Sequence, residues 1–408
     1  ANLNALEDIT FPQEEVMVNS NRWILPDGVQ DILPAQARLL ETIRGRMLKL
    51  FGSWGYDLVI PPMLEFTDSL HSASGEDLEL LTFRMVDPLS GKTMGVRPDI
   101  TPQIARIDAH SLRTKGPSRL CYAGTVLHTR ARDALSSRSP ISIGLELFGE
   151  SCINADIEVL RLFLKSLAIN NIQNICLDLG HVDICGGLLA AAKLGDEKKD
   201  EFYDLLQRKA MRELQQWVPK NVDDEKLSEW LLLLPDLIGG VEILDAAKQK
   251  LEGAPKKVID GLEQLITVAA AIENAGARLY FDLGESPGYG YHTGLVFAAY
   301  RSGYGKALGN GGRYDHIGEV YGRSRPATGF AFDLDSLMSA SSEAAEKKPG
   351  IFFPEGQDEE FLEEVDRLRK DGERVVQVFS ANKRDLTEIN CDRELVKENG
   401  HFSVKKLA

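Results

Sequence analysis

The chain has 408 residues, of which 43% are hydrophobic and 27% charged, with a formal net charge of -15. Such a length exceeds one ordinary domain, so two or three units are expected, and the acidic balance argues against a nucleic-acid backbone as the main partner, since gripping phosphates needs an excess of lysine and arginine. Five cysteines without any CxxC spacing point away from a disulfide framework or a thiolate zinc site and fit a reduced cytoplasm.

Residues 1–20 lack periodicity and read as a loose arm. Pro34 suits the first turn of a helix, and Leu40, Ile43, Met47 and Leu50 recur at helical spacing through Phe51, with the end expected near Gly52 and Gly55. YDLVI follows as a strand and stops at Pro61 and Pro62, which remove ladder donors. Residues 81–98 read as a hairpin with its turn at Asp87 to Gly91. In GVRPDITPQIAR (95–106), Arg97, Asp99 and Thr101 alternate along the end of one strand and share a face, with Val96 and Ile100 on the other. Further strands fit LCYAGTVLHTR, ISIGLELFGE and NICLDLGHVD, and the helix DIEVLRLFLKSLAI falls among them. Residues 186–275 are almost wholly helical in pattern and read as a helical insertion. Strand signals resume at ARLYFDLG and TGLVFAAY, then come GNGGRYD and ATGFAF running into DLDSLM. Residues 339–350 read as a linker, and 349–408 as a small α/β unit carrying IFF, the charged helix EEFLEEVDRLRK and the strand VVQVF. Strands joined by hairpins, with helices beside them, indicate an α+β fold with a largely antiparallel sheet.

Several common chemistries find no support. SGKT at Ser90 to Thr93 resembles the end of a phosphate-binding loop, but the required first glycine would fall at Val86, so a hairpin turn is the better reading. GYGYHTG and GNGG lack the dinucleotide spacing. The seven histidines include no pair four residues apart, and no nucleophile elbow occurs. No cofactor or metal is therefore expected. No apolar run approaches the roughly 18 to 20 residues of a membrane helix, and no signal peptide is read at the start, so a soluble intracellular protein is expected.

The ordered set Pro61-Pro62, VRPDIT, CYAGTVLHTR, GLELFGE, YGYHTGLVF, GNGGRYD and PATGFAF resembles the catalytic core of histidyl-tRNA synthetase across roughly residues 21–340. The resemblance implies a class II synthetase fold, a six-stranded antiparallel sheet flanked by helices, dimeric through the first helix and strand. Asp99 and Thr101 stand where the synthetase places a glutamate and a threonine on the ammonium of histidine, and a carboxylate beside a hydroxyl suits that ion. The alternative is that Asp99 only caps the following helix. Glu146 matches the glutamate that faces the imidazole, Tyr314 a tyrosine closing the pocket, and Tyr291 with His292 a tyrosine pair. Each of these could instead be an inherited core polar group. Arg97 is expected to buttress the pocket through a neighbouring carboxylate.

The catalytic equipment departs from the pattern. His128 and Ser336 fall where the synthetase has arginines that hold ATP, Pro287 where an arginine supports adenylate formation, and Ser142 where a glutamine stands. Arg130, two residues beyond His128, would share its strand face, so a slipped alignment restores one cation. Each lost donor is worth about 2.7 to 4 kcal/mol in comparable sites, so adenylation should be absent. A synthetase core with a histidine pocket, no adenylation residues and a short tail resembles the ATP phosphoribosyltransferase regulatory subunits, which are noncatalytic. That resemblance implies a short-form catalytic subunit as partner, which joins ATP to phosphoribosyl pyrophosphate at the first step of histidine biosynthesis. It further implies L-histidine as effector, self-association as a dimer within a hetero-oligomer, and a cytoplasmic location. A working histidyl-tRNA synthetase and a scaffold without ligand are the alternatives.

Overall fold

The structure, a computed structural model, describes residues 24–71, 76–131, 136–284, 292–343, 348–379 and 389–407. The expected arm at 1–20 lies outside these residues. The chain divides into two compact units, a large one that includes residues 43–341 and a small one made of residues 32–42 and 342–408.

Helix α1 (Pro34–Ser53) begins at the predicted proline. Ile43, Met47 and Phe51, four residues apart, are fully buried and form its core stripe. Leu50 is only half-buried, because a spacing of four continues to Phe51 rather than to its neighbour. Next come β1 (Asp57–Leu58), β2 (Leu64–Phe66), the short helices α2 (Thr67–His71) and α3 (Glu76–Leu80), β3 (Arg84–Val86) and β4 (Thr93–Val96). β2, β4 and β3 make a small antiparallel sheet. Its hairpin turns where expected: the amide of Gly91 donates to Asp87 O, and Asp87 side-chain oxygens accept from the amides of Leu89 and Ser90.

Helix α4 (Thr101–Arg106) runs into a π-helical turn over Ile107–Leu112, and β5 (Ser118–Thr125), β6 (Ile141–Phe148), α5 (Ile153–Ala168) and β7 (Ile175–His181) follow. The next segment holds α6 (Val182–Ala191), α7 (Asp196–Gln207), α8 (Met211–Asn221), α9 (Glu225–Leu233), the two-residue β8 (Ile238–Gly239), α10 (Glu242–Lys250) and α11 (Lys256–Ile272). The helical region thus begins at Val182, earlier than the composition suggested. It packs α11 on α5, α6 and β7 and sends β8 into the main sheet beside β9 (Ala277–Asp282). Then come β10 (Leu295–Arg301), β11 (Gly309–Arg313), β12 (Ala327–Asp333) and α12 (Leu334–Ala340).

Six strands in the order β5-β6-β12-β11-β10-β7 pair antiparallel throughout. Parallel β1 extends this sheet beyond β5, and parallel β9 followed by β8 extends it beyond β7. Because side chains alternate across a strand, one face of β6 carries Ile143, Leu145 and Leu147, all buried. Against that face Phe163 of α5 stacks on Phe332 with ring centres 4.5 Å apart and meets Phe297 and Phe330 edge-on at 5.0 and 5.3 Å. The glycines of GNGG serve this core: a Cβ on Gly309 would strike the Phe332 ring, and one on Gly311 would strike the ring of Phe297. The opposite face, with Ser142, Gly144 and Glu146 on β6, is the floor of a cavity.

The small unit holds β13 (Gly350–Pro354), α13 (Glu359–Lys370), β14 (Val375–Val378), β15 (Cys391–Glu398) and β16 (His401–Lys406), in sheet order β14-β13-β15-β16. Ile351, Phe353, Phe361, Val365, Leu368, Val375 and Leu395 form its core. The β15–β16 hairpin was missed from sequence, although its signal was present: Asn399-Gly400 separates the strands with φ of 50° and 77°, the geometry of a two-residue primed turn.

Candidate functional site

β4 ends at Val96, so Arg97, Asp99 and Thr101 do not continue one strand as expected; Thr101 is instead the first residue of α4. Pro98 breaks the ladder, and Pro102 suits a first helical turn. Asp99 Oδ1 accepts from the amides of Ile100 at 2.6 Å and Thr101 at 3.3 Å. Asp99 Oδ1 thus steadies the turn that leads into α4, whose N-cap position is Ile100, and this engages only one of its two oxygens. Arg97 is buried beneath. It donates to the carbonyl oxygens of Pro61 at 2.8 Å and Thr125 at 2.9 Å, and to Gln103 Oε1 at 3.4 Å. The expected carboxylate contact is indirect: Gln103 Nε2 donates in turn to Glu65 Oε1 at 2.8 Å. Gly124 makes room for this arginine, because a Cβ there would overlap its guanidinium.

Glu146 stands in the middle of β6 with 1% of its surface exposed. Its Oε1 accepts from Thr101 Oγ1 at 2.9 Å, while Oε2 is buried without a hydrogen-bond partner. Burial pushes its pKa well above the usual carboxylate range; the Thr101 and Tyr122 hydroxyls oppose this, and the nearby charge of Asp99 adds to it. A buried, half-satisfied carboxyl facing a cavity is poised for a ligand donor, or to donate its own proton. Across the ladder Gly329 pairs with Glu146 on one side and with Gly312 on the other. A Cβ on Gly329 would fall on Glu146 Oε2, on Tyr314 Oη and on the Leu145 carbonyl, so the cavity exists here because that position is glycine.

Tyr314 follows β11, is buried, and meets the ring of His292 edge-on with centres 6.2 Å apart. Its chain neighbour Arg313 is anchored in turn, with its guanidinium paired to buried Asp156 of α5 at 2.9 Å and to Asp315 at 3.0 Å. Tyr291 and Pro287 lie outside the described residues. Asp99, Thr101, Glu146, His292 and Tyr314 all line one cavity of about 260 Å³, slightly smaller than the roughly 300 to 1,000 Å³ of drug-sized sites and suited to a small metabolite.

The same cavity extends to His128, Ser142, Lys306, Asp333 and Ser336. His128 Nε2 lies 2.9 Å from Pro98 O, and Ser336 Oγ donates to Asp333 Oδ2 at 3.0 Å. β5 ends at Thr125, so Arg130 shares no strand face with His128; it is exposed and does not line the cavity. No arginine lines it among the described residues, and even with Glu146 held toward its neutral form by burial, Asp99 and Asp333 outnumber its one ammonium, Lys306. An acidic, arginine-free cleft suits an ammonium and disfavours a polyphosphate. Lys306 and Gly329 escaped sequence reasoning. Lys306 follows β10 in a turn without a motif, and only the strand register shows what Gly329 faces.

The profile of the histidyl-tRNA synthetase family matches residues 28–337, and that of the ATP phosphoribosyltransferase subunit HisZ C-terminal domain matches residues 348–405. An ATP phosphoribosyltransferase regulatory subunit from Cellvibrio japonicus is 45% identical over 394 residues, covering 96% of this chain and 99% of that protein. The chain belongs to the ATP phosphoribosyltransferase regulatory subunits. A second member of this family, from Stutzerimonas stutzeri, is 47% identical over 396 residues, 96% of this chain and all of that one (100%). The crystal structure described as an ATP phosphoribosyltransferase regulatory subunit/histidyl-tRNA synthetase from Bacillus halodurans C superposes with a TM-score of 0.79 at 27% identity, over 90% of this chain and 96% of that one. A histidyl-tRNA synthetase from Nostoc sp. PCC 7120, at 16% identity and TM-score 0.76 over 94% of each chain, shares the fold.

Proposed function

We propose that this chain is the noncatalytic regulatory subunit that assembles with the short catalytic subunit of ATP phosphoribosyltransferase in the cytoplasm, raises its turnover, and carries its inhibition by L-histidine. The observation that supports the effector is the convergence of Asp99, Thr101, Glu146, His292 and Tyr314 on one half-open cavity. Asp99 and Thr101 receive the ammonium, and Glu146 with its unpartnered oxygen receives the imidazole, with Tyr314 and His292 closing over it. Histidine acts on the partner by binding one of two conformations more tightly, a coupling typically worth about 1 to 3 kcal/mol. Self-association is supported by the small sheet, where Leu64, Phe66 and Met85 leave apolar surface exposed on one face. In this reading residues 21–340 form the effector-binding core and 349–408 a separate small unit.

The deciding experiment mixes the chain with a short-form catalytic subunit and follows turnover with and without L-histidine. The expected result is activation that L-histidine reverses, with no histidine-dependent pyrophosphate exchange by the chain alone. Turnover indifferent to the chain, or clear exchange, would refute the proposal.

A further inference from the structure

The cavity has two ends, and only one is used by the ammonium and imidazole contacts proposed above. Along β6 the floor runs from Glu146, which faces Gly329, to Ser142, which faces Asp333. Four residues at about 3.4 Å each separate these ends by about 14 Å at the backbone, and side chains reaching inward from both shorten the gap to the scale of a free amino acid. At the Ser142 end stands Lys306, with 13% of its side chain exposed. Its Nζ lies 3.4 Å from Asp333 Oδ2 and 3.4 Å from Ser136 Oγ. Asp333 does not depend on the lysine: its Oδ1 accepts from the amide of Asp335 at 3.0 Å and its Oδ2 from Ser336 Oγ at 3.0 Å. The ammonium can therefore turn toward a ligand while Asp333 stays hydrogen-bonded.

An α-amino acid held in this half-open cavity brings a carboxylate beside Asp99 and Asp333 that needs a cation or strong donors, since a charge drawn out of water without a partner is costly. The carboxylates of the lining cannot supply that, and Lys306 is the one lysine or arginine on the lining among the described residues. We propose that Lys306 is the anchor for the α-carboxylate of the amino acid, held ready by Asp333, and that it restricts the site to ligands carrying that group. This inference rests on the reading of the cavity as the histidine site.

The test uses calorimetric titration of the full chain with two probes, L-histidine and histamine, which keeps the imidazole and the ammonium but lacks the carboxylate. Lys306→Met should weaken L-histidine by roughly 10- to 150-fold, the cost of losing one charge-assisted hydrogen bond, and leave histamine affinity unchanged. Lys306→Arg should recover most of the loss. Equal L-histidine affinity in wild type and Lys306→Met, or a parallel loss of histamine, would overturn the assignment while leaving the site itself intact. A wild-type chain that binds L-histidine no better than histamine would overturn it as well. Failure of the wild type to bind either probe would instead overturn the reading of the cavity, and this inference with it.

Discussion

Thr101 Oγ1 donates to Glu146 Oε1 across 2.9 Å, tying the first turn of α4 to the centre of the main sheet over 45 residues of chain. That single bond joins the proposed ammonium and imidazole contacts at one end of the cavity, and it leaves Oε2 of the same carboxyl buried with no hydrogen-bond partner.

Glu146 should make stability fall with pH. Its folded pKa is raised above the ordinary value of 4.5 by burial, so folded and unfolded forms differ in protonation from about that pH up to the folded value. Below this window nothing is lost; as pH rises through it, the wild type loses stability by up to about 1.4 kcal/mol per pH unit. Glu146→Gln should abolish that slope. Thermal melts of both proteins across the window check it, and parallel pH profiles would refute the assignment.

Asp99 holds a turn through Oδ1 and offers charge at the cavity. Asp99→Asn keeps an acceptor for the amides of Ile100 and Thr101 but removes the charge, so the melting temperature should stay at the wild-type value. L-Histidine should bind roughly 10- to 100-fold more weakly, as for loss of a charge-assisted contact. A variant that binds normally would show that Asp99 is a cap and nothing more.

Gly329→Ala should damage both stability and binding. The new methyl would meet the Leu145 carbonyl as well as Glu146 and Tyr314, and backbone cannot swing aside as a side chain can. Overpacking of this kind costs about 1 to 3 kcal/mol, measurable by denaturant titration, and calorimetry should show no heat with L-histidine.

Arg313→Met should cost about 3 to 5 kcal/mol, because it strands Asp156 in the interior; the two side chains are 7% and 2% exposed. Burial already raises the Asp156 pKa, and Arg313 opposes that. Without the arginine the folded pKa climbs further, so the variant should lose more stability at about pH 8 than at about pH 5. Tyr314 sits one residue on, and weakened L-histidine binding should accompany the loss.

Much of the fold was legible because helices and strands announce themselves through local periodicity. Ile43, Met47 and Phe51 mark α1 by spacing alone, and the alternation in ISIGLELF marks both the buried and the cavity-facing sides of β6. Errors fell where backbone geometry overrides pattern. The alternation of Arg97, Asp99 and Thr101 looked like a strand, but Pro98 ends the ladder and the chain turns into a helix. LCYAGTVLHTR looked like one long strand, yet pairing stops at Thr125, which removes Arg130 from the face on which it would replace a missing arginine.

The candidate site divides along the same line. Residue order alone establishes which polar groups exist: a carboxylate and a hydroxyl in VRPDIT, a carboxylate in GLELFGE, a tyrosine in GGRYD, and no arginines at the expected positions. Side-chain chemistry is local, so it can be read without a fold. It took the folded chain to show that Glu146 Oε2 lacks a partner, that Gly329 opens the space in front of it, and that Lys306 stands at the far end on Asp333. Those facts depend on strand register and on burial, and both arise when residues far apart in the chain exclude water from the same volume.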